Sequence, residues 1–174
     1  MRVNERGWLG RRGGVDLMVA MNPQTWDGDV AEIEPGGYLF YDNSKPLPRS
    51  KFRADITVIG MPLTQICNET YSDARQRQLF KNIMYVGALS QLLGIDPAAI
   101  EKLFSEQYKG KERLLESNVR ALQAGRSFAK DHLQPIGLQV RRADKVGERI
   151  FVEGNAAAAL GCVYGGATVC AWYP

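Results

Sequence analysis

Hydrophobic positions follow two rhythms along the chain. Up to residue 62 they come in short runs bounded by Gly, Pro, Asn and Asp, whereas between residues 73 and 132 they recur every three or four positions. The run VDLMVAM, Val15–Met21, is short and almost wholly apolar, as a parallel strand covered on both faces would be. In the following NPQTW, Pro23 falls early and Thr25 is placed to cap a short helix over WDGDVAEI. EPGGYLFYD makes a turn and a second strand, Tyr38–Asp42. ADITVIGMP makes a third, Asp55–Gly60, ended by Pro62. A Pro-rich basic loop, NSKPLPRSKFR, separates the two. The order strand, helix, strand, long loop, strand predicts an α/β fold with a parallel sheet and helices packed on it.

The middle of the chain is helical. DARQRQLFKNIMYVGALSQLLG carries Leu79, Ile83, Met84, Val86, Leu89, Leu92 and Leu93 close to a 3.6-residue period, and Gly94 suits its C-terminal end. DPAAIEKLFSEQY begins with Asp96 as N-cap and Pro97 at the first helical position. GKERLLESNVRALQAGRSFAKDH places Leu114, Leu115, Val119, Leu122 and Phe128 near one side. Helical period is lost over LQPIGLQVRRADKVGERIFVEGN, which reads as a linker turning extended. A last unit, an extended lead-in, an Ala/Gly-rich helix and a short apolar strand, occupies EGNAAAALGCVYGGATVCAWYP. The expected organisation is thus an α/β domain over 1–133, a linker over 134–152, and the first strand-helix-strand piece of a second α/β domain over 153–174.

Composition narrows the function classes. With 45% hydrophobic and 24% charged residues over 174 positions, the chain has the balance of a globular protein in water. A net charge of +3, with basic residues spread along the sequence, gives no nucleic-acid footprint. The densest basic stretch, Arg6–Arg12, is broken by glycines and reads as a solvated loop. No apolar run is long enough for a membrane span. Three cysteines without CxxC spacing suit a reducing cytoplasm and small buried thiols, and a single histidine argues against a His-based metal site or triad.

Candidate chemistry belongs in the loops after parallel strands, where ligands of open α/β sheets bind. Those loops contain Asn22 and Pro23; Asp42, Asn43, Ser44 and Lys45; and Met61, Pro62 and Thr64. Asn22 offers amide donors and an acceptor, or else holds a turn. Asp42 is either a functional carboxylate or the cap of the next turn, and Lys45 either a phosphate-binding point charge or a solvated lysine. The start of the last helix, Gly154–Asn155, can present free N–H groups to an anion. Neither GxGxxG nor GxxxxGK[ST] occurs. The residues taken alone assemble no catalytic constellation and no metal site.

Three blocks nevertheless resemble one family in its own order. VDLMVAMNPQTW…EIEPGGYLFYDNS is similar to the gamma domain of the 2-oxoacid:ferredoxin (acceptor) oxidoreductases, in which a D-x-L-V-A-x-N strand leads to a helix and then to L-x-P-G-G and a second strand with its Asp. KNIMYVGALSQLLGID is similar to the family's Asn-x-x-x-x-Gly-Ala helix ending in Leu-Gly. GNAAAALGCVYGGATVCAWYP resembles the opening of the alpha domain in fused gamma–alpha subunits. The fused alpha subunit of 2-oxoglutarate-type enzymes is the nearest in kind. The resemblance implies a Rossmann-like gamma domain within an enzyme that uses thiamine diphosphate, an iron–sulfur cluster and coenzyme A to decarboxylate a 2-oxoacid oxidatively and pass electrons to ferredoxin. It implies a thiamine-binding beta subunit as partner. On this chain it points to Asn22 and Lys45 on the coenzyme A side, and to Tyr173 and Pro174 as the start of the substrate and thiamine loop. The family's opening strand and G-x-G-G-x-G turn are missing, and the sequence stops before the Thr-Pro-Ser that would follow Pro174. The expectation is therefore a segment incomplete at both ends and inactive alone. The competing reading is a free-standing small-molecule-binding, nucleotide-binding or scaffolding α/β domain.

Overall fold

The computed structural model describes residues 2–7, 10, 13–143, 147–150 and 152–171. Trp8, Leu9, Arg11 and Arg12 of the basic stretch, and the candidate residues Tyr173 and Pro174, lie outside the described residues. The chain divides into two compact units, Met1–Arg141 and Arg142–Pro174.

In the first unit three strands, β1 (Val15–Ala20), β2 (Ile33–Asp42) and β3 (Thr57–Met61), form one sheet in that order. Both pairings are parallel, with Val19 opposite Phe40 and Asp42 opposite Met61. The expected neighbouring parallel strands are all present. β2 starts earlier than Tyr38 because Val15 pairs with Ile33, after which the register shifts before Leu17 meets Tyr38. Asp55 lies outside β3, where Arg53 takes both its carboxylate oxygens at 2.9 and 2.5 Å.

Successive residues of a strand point to opposite faces, and β2 fills two cores this way. Leu39 joins Ala20, Trp26, Val30 and Ile33 beneath α1 (Trp26–Ala31), while Phe40 joins Ile59, Met61, Leu63, Cys67, Met84 and Ala88 on the other face. That second core is roofed by α2 (Leu63–Thr70), α3 (Ala74–Leu92) and α5 (Glu112–His132). α4 (Pro97–Gln107) buries no residue and links α3 to α5. Its expected start is observed: Asp96 accepts the Ala98 N–H at 3.0 Å, with Pro97 in the first turn. Gly94 follows α3 at φ +69°, the left-handed geometry that ends helices at glycine. Thr25 does stand at the cap position of α1, but its hydroxyl bonds Asp29 at 2.7 Å rather than a backbone N–H.

Helix α2 is absent from the sequence reading, which treats Pro62 as an end. It is one short amphipathic stretch, LTQICNET, with Leu63 and Cys67 buried. α3 and α5 pack backbone to backbone. A Cβ on Gly87 would lie 2.1 Å from the Leu122 carbonyl oxygen, and one on Gly125 1.9 Å from that of Met84.

In the second unit the expected Ala/Gly-rich helix forms as α6 (Gly154–Tyr164), entered by Glu153 in extended geometry. Its residues are exposed. Residues 167–171 are irregular rather than paired, because a strand needs a ladder partner and residues 147–150 and 152–171 supply none. The cysteines require a correction. Cys67 is buried as expected, but Cys162 on α6 and Cys170 beyond it are exposed. No helix of the described residues is long and apolar enough to cross a membrane.

Candidate functional site

Parallel register brings the C-terminal ends of the three strands to one edge of the first unit. Asp42 ends β2 there, and α2 begins immediately after β3. The Asp42 carboxylate consequently meets the N-terminus of α2, where the first turn of a helix leaves N–H groups unsatisfied and favours negative charge. It accepts the Thr64 N–H at 3.2–3.3 Å and also the Thr64 hydroxyl. From its own turn it accepts the Ser44 hydroxyl at 2.6 Å and the Ser44 N–H at 3.1 Å. The Ser44 oxygen in turn accepts the Gln65 N–H at 2.9 Å. One carboxylate and one serine thus cap α2 from a different strand.

Burial pushes the Asp42 carboxyl up, but the hydrogen bonds from the Ser44 and Thr64 side chains and backbones outweigh it and hold the group below the usual carboxylate range. A carboxylate so stabilised is a poor general base near neutral pH, and its role is to hold the strand-end loops. Asn43 beside it packs its amide against Gly60, where a Cβ would come within 2.6 Å of Nδ2. Its Oδ1 is buried with no hydrogen-bond partner among the described residues.

Lys81 of α3 reaches the same place, with Nζ 3.5 Å from the Thr64 hydroxyl oxygen. Thr64, Cys67, Arg77 and Lys81 border a small pocket of about 190 Å³ between α2 and α3. Arg77 is turned to the end of α2, donating to the Tyr71 and Ser72 carbonyls at 2.7 and 3.0 Å. The Cys67 thiol beneath is pushed up by burial, so it stays protonated and inert. A larger, open depression of about 440 Å³ beside α1 contains Asp27, Lys51 and Arg53. Its charges are already paired, Lys51 with Asp27 at 2.6 Å and Arg53 with Asp55.

Asn22 lies after β1 at the same edge and is exposed. Its Oδ1 accepts the Gln24 N–H at 3.0 Å and its carbonyl accepts the Thr25 N–H at 3.2 Å, which forms the turn into α1. Lys45 is exposed in the turn after β2. The structure brings Asp42, Ser44 and Thr64 into one network and adds Lys81, which sequence reasoning missed. A usable signal was present. Arg77, Lys81, Met84 and Ala88 share one helical stripe, so the polar residues extending the buried Met84–Ala88 face mark where it leaves the core. Among the described residues no three His, Cys, Asp or Glu side chains gather to hold a metal. With Cys67 buried and Cys162 and Cys170 in the other unit, the chain does not offer the four thiolates of a cluster site.

The relatives of the chain agree on one enzyme class. The family model described as "Pyruvate ferredoxin/flavodoxin oxidoreductase" matches residues 2–128. The Ketoisovalerate oxidoreductase subunit VorA of Methanothermobacter thermautotrophicus is 22% identical over 68% of the chain and 24% of its own length. The 2-oxoacid:ferredoxin oxidoreductase 2 subunit alpha of Aeropyrum pernix is 24% identical over 92% of the chain and 31% of its own length. The chain therefore spans about a quarter to a third of the length of these curated relatives. Among solved structures, the 2-oxoglutarate:ferredoxin oxidoreductase of Magnetococcus marinus, with 2-oxoglutarate, coenzyme A and succinyl-CoA bound, superposes with a TM-score of 0.74. That match has 25% identity and covers 87% of this chain and 26% of the other. The gamma subunit of a keto/oxoacid ferredoxin oxidoreductase from Geobacter sulfurreducens shares the fold, with a TM-score of 0.52, 23% identity and coverage of 66% and 64%.

Proposed function

The chain belongs to the pyruvate ferredoxin/flavodoxin oxidoreductase family, and from that premise we propose that it is part of a 2-oxoacid:ferredoxin oxidoreductase alpha subunit. In this reading residues 1–133 are the gamma domain, 134–152 the linker and 153–174 the opening of the alpha domain. The complex carries out coenzyme A-dependent oxidative decarboxylation of a 2-oxoacid in the cytoplasm, and 2-oxoglutarate is the substrate we favour. The observation that carries the proposal is the superposition over 87% of the chain on an enzyme solved with 2-oxoglutarate and coenzyme A.

The reacting chemistry is supplied by thiamine diphosphate, an iron–sulfur cluster and coenzyme A when these are bound in the complex. The thiamine and the cluster are assigned to a beta subunit, in keeping with the scarcity of thiolates noted above. This chain's own residues position. Asp42, Ser44 and Thr64 lock the strand-end loops together, and Asn22 fixes the turn after β1. In that frame Asn22 and Lys45 face coenzyme A, with Lys45 as a point charge toward phosphate. Tyr173 and Pro174 begin the substrate and thiamine loop. Ferredoxin accepts the electrons of the whole complex.

The test compares the 174-residue chain with a complete alpha subunit containing it, each mixed with a cluster-loaded beta subunit, thiamine diphosphate, coenzyme A and a panel of 2-oxoacids. Reduction of a viologen dye is expected from the complete complex alone. Turnover by the isolated chain, or an inert complex with intact clusters, would contradict the proposal. Tight nucleotide binding by the isolated chain, without any association with the beta subunit, would favour a free-standing binding domain.

A further inference from the structure

Residues 133–140 leave α5 in neither helix nor strand, yet they do not run free. Leu133 and Ile136 pack against the core that contains Phe40 and Met84. Ile136, Leu138 and Val140 are half-buried while Gly137 and Gln139 are exposed, the alternation of an extended segment lying on a surface. Two hydrogen bonds fasten it. The Gly137 N–H donates to the Tyr38 hydroxyl of β2 at 2.9 Å, and the Val140 N–H donates to the Leu93 carbonyl at the end of α3 at 2.8 Å. The phenol comes so near that a Cβ on Gly137 would lie 3.1 Å from its oxygen. The first compact unit ends one residue later, at Arg141.

We propose that residues 133–140 are a detachable strap, latched by Tyr38 and Leu93, that sets where the tether to the second unit begins. When the strap is docked, the tether starts at Arg141. When it is released, the tether starts where α5 ends. Eight further residues at about 3.3 Å each give the second unit roughly 26 Å more reach. The fastenings suit reversible release. Two hydrogen bonds, each worth about a fivefold factor in the opening equilibrium, and four half-buried apolar side chains, Leu133, Ile136, Leu138 and Val140, make a local opening far less costly than unfolding the α3–α5 pair. Because the latches hold one continuous segment, they open together.

Amide hydrogen exchange on the full chain tests this through Val140, whose own acceptor on Leu93 is untouched by a change at Tyr38. In Tyr38→Phe the Val140 amide should exchange about fivefold faster, the factor that loss of one such bond gives, while the Ala88 amide in the core keeps its rate. In the reciprocal variant Val140→Pro, which removes the second donor, the Gly137 amide should accelerate by a similar factor. Spin labels on exposed Cys162 and on Glu116→Cys, with Cys67 and Cys170 changed to serine, should report a distance distribution that widens toward longer values in Tyr38→Phe. An unchanged Val140 rate in Tyr38→Phe would show two independent bonds rather than a strap. Acceleration of Ala88 along with the segment would show that it opens only with the whole unit. An unchanged distance distribution would remove its control over reach. Any of these would overturn the proposal.

Discussion

At the residue scale, Asp42 connects fold to site. It accepts hydrogen bonds from two side chains and two backbone N–H groups, and an amide cannot replace it without turning a donor toward a donor. Asp42→Asn should lower stability by about 1–2 kcal/mol, the range for a lost helix cap. The pH dependence follows from the depressed carboxyl. Its contribution is fully present above the unfolded value near 3.9 and is lost as pH falls through the lower folded value. The gap between wild type and Asp42→Asn, read from urea midpoints, should be constant above about pH 5 and close below about pH 4. A gap independent of pH would show that the charge does not matter. Lys45 makes a different prediction because it is exposed in the turn after β2. On the proposed function, Lys45→Ala in the complete complex should raise KM for coenzyme A about twofold to fivefold, the effect of a solvent-exposed phosphate contact of up to about 1 kcal/mol, and leave kcat unchanged. An unaltered KM would remove Lys45 from the site. Asp42, Ser44 and Thr64 could all be picked from the sequence as strand-end residues, but not the network that joins them. Thr64 is 22 positions away and Lys81 a further 17, and only parallel register joins them.

At the element scale α3 and α5 pack backbone to backbone. Gly87, within the sequence block NIMYVGA, and Gly125 let two backbones approach where a methyl group would collide with a carbonyl. Alanine would favour each helix on its own by up to about 1 kcal/mol, but overpacking at fixed backbone costs about 1–3 kcal/mol or more. Gly87→Ala and Gly125→Ala should therefore each destabilise by about 2 kcal/mol, measured as a lower denaturant midpoint with unchanged slope. Increased stability would mean that helix propensity decides and the close approach does not. The three long helical segments were legible because each carries its period over enough residues, and the three strands because each is a short apolar run bounded by turn residues. α2 was not, since its eight residues give a single apolar stripe, behind a proline read as an end. The exposure of α6 with Cys162, and of Cys170 after it, was illegible for another reason. An apolar composition reads as a buried helix, and here its side chains are exposed.

At the scale of the whole molecule, the first unit is a sheet with helices on both faces and a capped network at its C-terminal edge, while the second presents an Ala/Gly helix with Leu160, Val163 and Tyr164 exposed. A surface of that kind is expected to gain a covering in a larger assembly, in line with the fraction of the relatives' length that the chain spans. The role proposed for the chain is to position and support, so membership of an active complex is what a measurement must establish. The direct measurement is to capture the native assembly with an antibody against this chain and assay it for dye reduction that depends on both a 2-oxoacid and coenzyme A. Membership predicts co-capture of a thiamine diphosphate-binding subunit and turnover, greatest with 2-oxoglutarate, that stops when coenzyme A is omitted. A captured assembly without a thiamine-binding subunit, inert across the oxoacid panel with its clusters intact, would contradict it.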